Sequence, residues 1–166
     1  MATSSSTNFE PNVTEFVEEA FERCGLELRT GYDLKTAKRS INLMLAEWAN
    51  RGLNQWTIEQ ATQTVTKGTN QYTLDSNIID ILDCSLRRDT DGTNLDLQMT
   101  KISRSEFLNI PTKSTQARPN QFFLDKQLSP VLNVWPTPEN NTDVLLFNKL
   151  VRMYDADTAT HTMDMP

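Results

Sequence analysis

Histidine and cysteine are scarce in this sequence, and their scarcity excludes several classes of catalytic and metal site. The only histidine, His161, lies in a low-complexity tail, so a Ser-His-Asp arrangement, a Cys-His arrangement and a multi-histidine metal site are all unsupported. The two cysteines, Cys24 and Cys84, are far apart and lack metal-ligand spacing. We expect both to be buried thiols of a protein in a reducing compartment.

Long apolar runs, an excess of positive charge and glycine-rich phosphate-binding motifs are also missing. No run reaches the ~18 apolar residues that a membrane span needs, and the N-terminus does not have the order of a signal peptide. The net charge of −6 disfavours a general nucleic-acid-binding surface. The sequence therefore indicates a soluble, cytoplasmically made protein with no membrane partner and no cofactor.

What the sequence does contain begins with two amphipathic helices. The first follows Pro11, with Asn12 or Thr14 as its N-cap and Gly25 as its terminator. Its predicted apolar face consists of Phe16, Val17, Ala20, Phe21 and Cys24. The second helix is predicted over residues 33–52, with Asp33 capping the first turn and Gly52 closing the last one.

The polar face of the second helix allows two interpretations. The predicted apolar face carries Leu34, Ala37, Ile41, Met44, Leu45 and Trp48, and the polar face carries Lys35, Lys38, Arg39, Asn42 and Glu47. The three cations can contact phosphates. The favoured interpretation is a solvated face, or one salt-bridged to the acidic first helix, whose outer residues are Glu15, Glu18, Glu19 and Glu22.

From Gln55 onward the apolar period changes to two, which predicts about seven short antiparallel strands. Residues 56–66 and 71–74 are predicted to form a hairpin across a turn at residues 67–70. The strand at residues 77–89 is apolar in both phases, so we expect it to be covered on both faces. Asp91-Gly92 predicts a second hairpin, whose returning strand points Leu95, Leu97 and Met99 to one side.

A short helix and three further strands are predicted after the second hairpin. Ser103 and Glu106 have the spacing of a capping box, and Pro111 stops the helix that they begin. The strands are predicted at residues 120–125, 131–135 and 144–153.

Together these elements predict an α+β fold, in which a two-helix hairpin packs beside an antiparallel β-sandwich or rolled sheet with one short helix. The predicted parts are a flexible N-terminal arm (1–11), a helical part (12–54), an antiparallel β domain (55–154) and an extended C-terminal tail (155–166). We expect Trp48, Trp56 and Trp135 to be core anchors.

The carboxylate clusters in the sequence do not indicate a catalytic site or a metal site. The pairs Asp80 with Asp83 and Asp89 with Asp91 are interpreted as structural, since the members of the first pair would face apart on a regular strand. A Ca²⁺ site near the Asp91-Gly92 turn, using Asp80, Asp89, Asp91 and Asp96, lacks the regular loop spacing of such sites. We therefore predict neither a metal site nor an enzyme.

Several segments, taken in order, resemble one known family over residues 36–138. These segments are AKRSINLMLAEWANRGLNQWTIE, QYTLDSNIIDILDCSLR, ISRSEFLNIPTK, ARPNQFFLD and VLNVWPTP. They resemble the head-to-tail adaptor, or connector, proteins of short-tailed bacteriophages, the group that includes tail tubular protein A. The resemblance implies a structural virion protein of the neck or tail, which forms a homo-oligomeric ring of about twelve copies. Such a ring joins the portal protein to the tail nozzle or tube and lets DNA pass without sequence-specific binding.

The resemblance also gives the segments roles. The second helix would contact neighbouring subunits, and the terminal arms would become ordered on partners. The candidate ring or partner interface residues are Phe9, Lys35, Lys38, Arg39, Arg51, Arg104, Arg118, Met163 and Met165. The alternative is a tail-associated accessory protein. It would either degrade cell walls with Glu106 or Asp83 as the acid, or bind carbohydrate by stacking sugars on Trp56 or Trp135.

Overall fold

A computed structural model describes residues 11–29, 31–53, 56–90 and 93–157. The chain forms two compact units. The first, called here the helical unit, holds the described residues up to Trp56 and from Met153 to Asp157; the second, the β unit, is Thr57–Arg152. Helices and two sheets together confirm the predicted α+β class. None of the helices in the described ranges is long and apolar enough to cross a membrane.

The helical unit contains α1 (Val13–Arg23) and α2 (Gly31–Asn50). Asn12 caps α1 as predicted, since its side chain accepts from the Glu15 N–H at 2.9 Å while the Glu15 carboxylate accepts from the Asn12 N–H. Helix α2 starts two residues before the predicted cap. Asp33 therefore lies inside the first turn, where its negative charge suits the positive end of the helix dipole.

Both helices end at the predicted glycines. Gly25 and Gly52 have φ angles of 71° and 78°, a conformation that residues with a Cβ rarely adopt. After Gly25 the Leu26 N–H donates to the Phe21 carbonyl at 2.9 Å, and after Gly52 the Leu53 N–H donates to the Trp48 carbonyl at 3.1 Å. These bonds satisfy carbonyls that a helix end would otherwise leave open.

One apolar cluster holds the helical unit together. Its buried members are Val13, Val17, Ile41, Leu45, Met153 and Ala156, with Phe21, Leu28, Leu34, Ala37, Trp48 and Trp56 packed against them. The expected apolar face of α1 was too wide, because Phe16, Ala20 and Cys24 are exposed. Residues from the other end of the chain take part in this cluster, so it is filled by a narrower stripe of α1.

The described residues of the β unit form eight strands in two four-stranded sheets. The strands are β1 (Ile58–Thr64), β2 (Gln71–Thr73), β3 (Ile78–Thr90), β4 (Thr93–Gln98), β5 (Thr100–Lys101), β6 (Gln121–Asp125), β7 (Val131–Trp135) and β8 (Val144–Val151). The sheet orders are β1-β8-β3-β4 and β2-β7-β6-β5. Side chains of both sheets share one buried core, which includes Ile81, Leu86, Phe122, Leu132 and Leu145. The predicted sandwich is therefore present, although the pairing of β5 with β6 is parallel.

The first predicted hairpin is wrong and the second is confirmed. The turn at Lys67 exists, with the Thr69 N–H donating to the Thr66 carbonyl at 3.0 Å. However, β1 pairs with β8 and β2 pairs with β7, so the chain changes sheets at this turn instead of folding back. Strands β3 and β4 pair antiparallel with Thr90 opposite Thr93. The reversal residues Asp91 and Gly92 lie outside the described ranges.

The apolar residues of β3 predicted a strand covered on both faces, and this prediction is wrong. The pairing with β8 shifts between Ile78 and Asp80 and again between Ile81 and Asp83, which marks irregularities of the β-bulge type. The residues skipped by these shifts, Ile79 and Leu82, are exposed. The shifts bring Ile78, Ile81, Cys84 and Leu86 to buried positions, so apolar residues of both sequence phases serve one core.

Candidate interaction surfaces

The side of α2 that faces away from the cluster carries two large exposed apolar residues among basic ones. Side chains three or four positions apart share a helix face. Ile41 and Leu45 therefore share one face of α2, and both are buried. Tyr32 and Leu43, on the other side, are 75% and 66% exposed. We call this side the α2 outer face: Tyr32, Lys35, Arg39, Leu43 and Ala46, all exposed.

The cations predicted for the interface on α2 fall into two groups. Lys38 donates to the Asp157 carbonyl, and Arg51 forms an ion pair with Glu47 one turn earlier. Both therefore serve contacts within the helical unit. Lys35 and Arg39 have no ion-pair partner within the described ranges, and both lie on the α2 outer face.

Helix α1 carries the opposite charge on its solvent side. We call Glu15, Glu18 and Glu22 the α1 acidic face; all three are exposed. Glu15 is used by the N-terminal capping box, while Glu19 pairs with Arg23 at 2.7 Å on the neighbouring flank. The ion pairs that the structure shows in α1 and α2 lie within one helix, so the predicted salt bridging between the two helices is not among them.

In the β unit, Arg104 is already committed to local contacts. It belongs to α3 (Arg104–Asn109), a helix capped by Ser103 and Glu106 as predicted. Its guanidinium pairs with Asp125 and lies 6.0 Å from the centre of the Phe123 ring, which stacks on Phe107 at 5.6 Å. These partners could not be predicted from the sequence, because an irregular loop separates α3 from β6.

That loop, residues 110–119, is anchored to the end of β7. The Trp135 indole N–H donates to the Thr112 carbonyl at 3.2 Å, and the Thr137 hydroxyl donates to the Lys113 carbonyl at 2.8 Å. Trp135 is partly buried, so its ring is not presented as an open stacking platform. Arg118 is exposed in the same loop.

The structure describes the two remaining predicted core anchors but not the predicted interface residues of the terminal arms. Trp48 and Trp56 are partly buried against the cluster of the helical unit. The Trp56 indole nitrogen is buried and has no hydrogen-bond partner among the residues that the structure describes. The predicted interface residues Phe9, Met163 and Met165 lie outside the described ranges.

Three of the carboxylates considered for catalysis or metal binding, Glu106, Asp80 and Asp96, are engaged by other groups. Glu106 accepts hydrogen bonds from the backbone and side chain of Ser103, which hold its pKa below its usual range. A general acid at neutral pH needs the opposite shift. Asp80 pairs with Lys101 and Lys126, and Asp96 pairs with Arg87. Within the described ranges no group of His, Cys, Asp or Glu side chains has a metal-binding arrangement.

The cysteines differ from each other. Both are free thiols. Cys84 is buried in the β core, as expected, and burial raises its pKa to about 12. Cys24 is exposed, so the prediction that it is buried is wrong. The physical reason is its position as the C-cap of α1, where the helix ends and the chain turns away at Gly25.

An open cavity of about 420 Å³ lies where the chain passes from β4 to β5. It is lined by Leu82, Asp83, Gln98, Met99, Thr100, Lys101 and Phe122. The Lys101 ammonium that borders it is held by Asp80 at 2.9 Å and by the Ile81 carbonyl at 2.7 Å. This arrangement does not present a nucleophile with an adjacent base, as covalent catalysis would need.

One comparison with known proteins identifies relatives of the chain. The sequence model of the SU10 adaptor protein family matches residues 11–166. No protein with curated annotation matches the chain.

Proposed function

Because the chain belongs to the SU10 adaptor protein family, a family of structural phage adaptors, we propose that it forms a ring in the virion neck. The ring joins the portal protein to the tail nozzle or tube, and DNA passes through its channel. We further propose about twelve copies, as in the tail tubular protein A group that the sequence resembles.

The observation that carries this proposal is the extent of the family match. It covers residues 11–166, and thus both the helical unit and the β unit. The match therefore supports a function of the chain as a whole and not of one segment alone. The α2 outer face supports it, since large exposed apolar residues beside charged ones are typical of a protein-binding surface.

The charges of the β unit suit a channel through which DNA moves without being held. Of the ten Lys and Arg residues of the β unit, five are shown paired with carboxylates: Arg87, Lys101, Arg104, Lys126 and Lys149. A paired cation is less available to a phosphate, and each phosphate contact would add salt-dependent affinity for DNA. With a net charge of −6, the chain favours passage over binding.

The test is to add the purified protein to DNA-filled heads that lack their adaptor and to image the necks by cryo-electron microscopy. We expect a closed ring beneath the portal and recovery of tail attachment. A variant lacking residues 1–10 should fold normally and assemble less well, as the predicted arm requires. Monomers scattered on the heads, or no density at the neck, would refute the proposed ring.

A further inference from the structure

We propose that in this ring the α1 acidic face of one copy docks on the α2 outer face of the next copy. The inference rests on the proposed ring and adds the two surfaces that meet in it. The partner at each surface is therefore a second copy of this chain. Neither surface is used by the cluster that holds the helical unit together.

The charges on both faces are arranged unfavourably in a single copy. Glu18 and Glu22 are like charges one helical turn apart, and so are Lys35 and Arg39. Like charges at this spacing destabilise a helix. None of these four side chains has an ion-pair partner within the described ranges. Placing one face against the other would turn two repulsive pairs into a set of attractive contacts.

Exposed apolar residues of α2 add to the contact. Tyr32 and Leu43 lie on the α2 outer face and are 75% and 66% exposed, whereas other aliphatic residues of α2, such as Ile41 and Leu45, are buried. Exposed aromatic and aliphatic side chains are typical of protein-binding surfaces. Lys35 and Arg39 lie between Tyr32 and Leu43 along the helix, so charges that can meet Glu18 and Glu22 stand beside the apolar side chains.

The two faces belong to different helices and point away from the cluster that α1 and α2 share. A contact between two different surfaces leaves each copy with one free surface of each kind. The contact therefore repeats from copy to copy and closes into a ring when the rotation between copies allows it. A contact of one surface with itself would stop at a dimer.

Charge reversal with complementation tests this contact. The first variant carries Glu18→Lys and Glu22→Lys, and the second carries Lys35→Glu and Arg39→Glu. Lysine and glutamate are both good helix formers, so circular dichroism should show unchanged helices. Each variant alone should associate about tenfold more weakly than the wild type or worse, in sedimentation velocity and on adaptor-free heads.

An equimolar mixture of the two variants should assemble again. In an alternating ring, the basic α1 of the first variant meets the acidic α2 of the second, and the acidic α1 of the second meets the basic α2 of the first. Leu43→Gln should also weaken assembly while leaving the monomer intact, because Leu43 is exposed in the single copy. Glu139→Lys and Lys67→Glu, exposed in the β unit, are control reversals that should have no effect.

The outcomes separate this contact from the ring itself. Wild-type protein that stays monomeric both in solution and on heads would overturn the ring and the contact together. Wild-type rings, with reversed variants that assemble equally well or a mixture that fails to recover, would overturn the contact alone. Weak assembly of each variant alone and restored assembly of the mixture would support the contact. A restored mixture with the mass of a dimer would show that the contact closes a dimer and would overturn the ring.

Discussion

Asp80 links the two sheets of the β unit, and replacing it with asparagine should destabilise that unit. Its carboxylate on β3 accepts from Lys101 of β5 at 2.9 Å and from Lys126, just after β6, at 3.1 Å. It also accepts from the Ile81 backbone N–H at 2.8 Å. Asp80→Asn keeps the shape of the side chain and removes the charge from both ion pairs.

The expected loss follows from the exposure of the partners. The Asp80 side chain is 23% exposed, whereas those of Lys101 and Lys126 are 42% and 57% exposed. A buried hydrogen bond to a charged group contributes about 1.5–3 kcal/mol, and an exposed ion pair contributes about 0–1 kcal/mol. Between these limits we expect Asp80→Asn to lower the free energy of unfolding by about 1–2 kcal/mol. For a unit of this size, Tm would fall by about 4–16 °C.

The dependence on pH distinguishes an electrostatic link from a packing effect. Burial raises the pKa of Asp80, but hydrogen bonds from Lys101 and Lys126 outweigh burial, so its pKa lies below its usual range. A carboxyl with a lowered folded-state pKa adds stability above its unfolded-state pKa and loses that stability as pH falls through the folded value. The difference between wild type and Asp80→Asn should be complete at pH 7 and should shrink below about pH 4.

Urea denaturation followed by circular dichroism at neutral and acidic pH measures this difference. Asp83→Asn, an exposed carboxylate on the same strand, is the matched control and should change stability by less than about 0.5 kcal/mol. A double-mutant cycle with Lys101→Met should give a coupling energy of at least about 0.5 kcal/mol. An equal loss at both pH values, or an equal loss in Asp83→Asn, would refute the electrostatic explanation.

Three further predictions follow from the caps, the cluster and the thiols. Trp48→Ala should lower the free energy of unfolding of the helical unit by about 2–4 kcal/mol in urea titrations, because the ring is partly buried; a loss under about 1 kcal/mol would contradict that packing. Ser103→Ala should cost about 1 kcal/mol of stability, measured the same way, while Ser103→Asp keeps a capping side chain and should cost less. A thiol reagent at pH 8 should modify Cys24 alone in the native protein, as read by mass spectrometry; fast modification of Cys84, whose pKa burial raises to about 12, would contradict its burial.

The helix ends could be predicted from sequence because each depends on neighbouring residues. Asn12 with Glu15, and Ser103 with Glu106, satisfy backbone groups within three positions, so their spacing alone is informative. The pairing of the first strands is different. A turn forms at Gly68, but the Val65 N–H donates to the distant Asp143 carbonyl and β1 pairs with β8. A turn signal does not state which strand the chain pairs with afterwards.

The sequence of β3 contains a spacing of apolar residues that indicates its irregular pairing. The buried residues Ile78, Ile81 and Cys84 are three positions apart, whereas a regular strand places one face every second residue. A spacing of three requires one additional residue in each interval, which is what the pairing with β8 shows. The sequence NIIDILDC thus contains the two irregularities, and reading it as a strand covered on both sides overlooked them.

The candidate surfaces were only partly predictable, because the number of apolar residues that a helix buries depends on its partners. Met153 and Ala156 come from the far end of the chain and fill part of the cluster, which leaves Phe16 at the edge of the buried stripe. No local pattern in α1 indicates their arrival. Likewise, no local pattern around Arg104 indicates that its guanidinium contacts Phe123 and Asp125 of β6.

Lys35 and Arg39 differ from the other predicted interface cations in what a single copy offers them. Lys38 and Arg51 have partners in the same unit, so removing either charge would also remove a contact within that unit. Lys35 and Arg39 are like charges one helical turn apart on an exposed face that also carries Leu43, and this pair does not stabilise the helix. Residues that bring no benefit to the monomer are those whose substitution reports on assembly alone. The reversal of these two charges is therefore the most direct measure of the contact between copies.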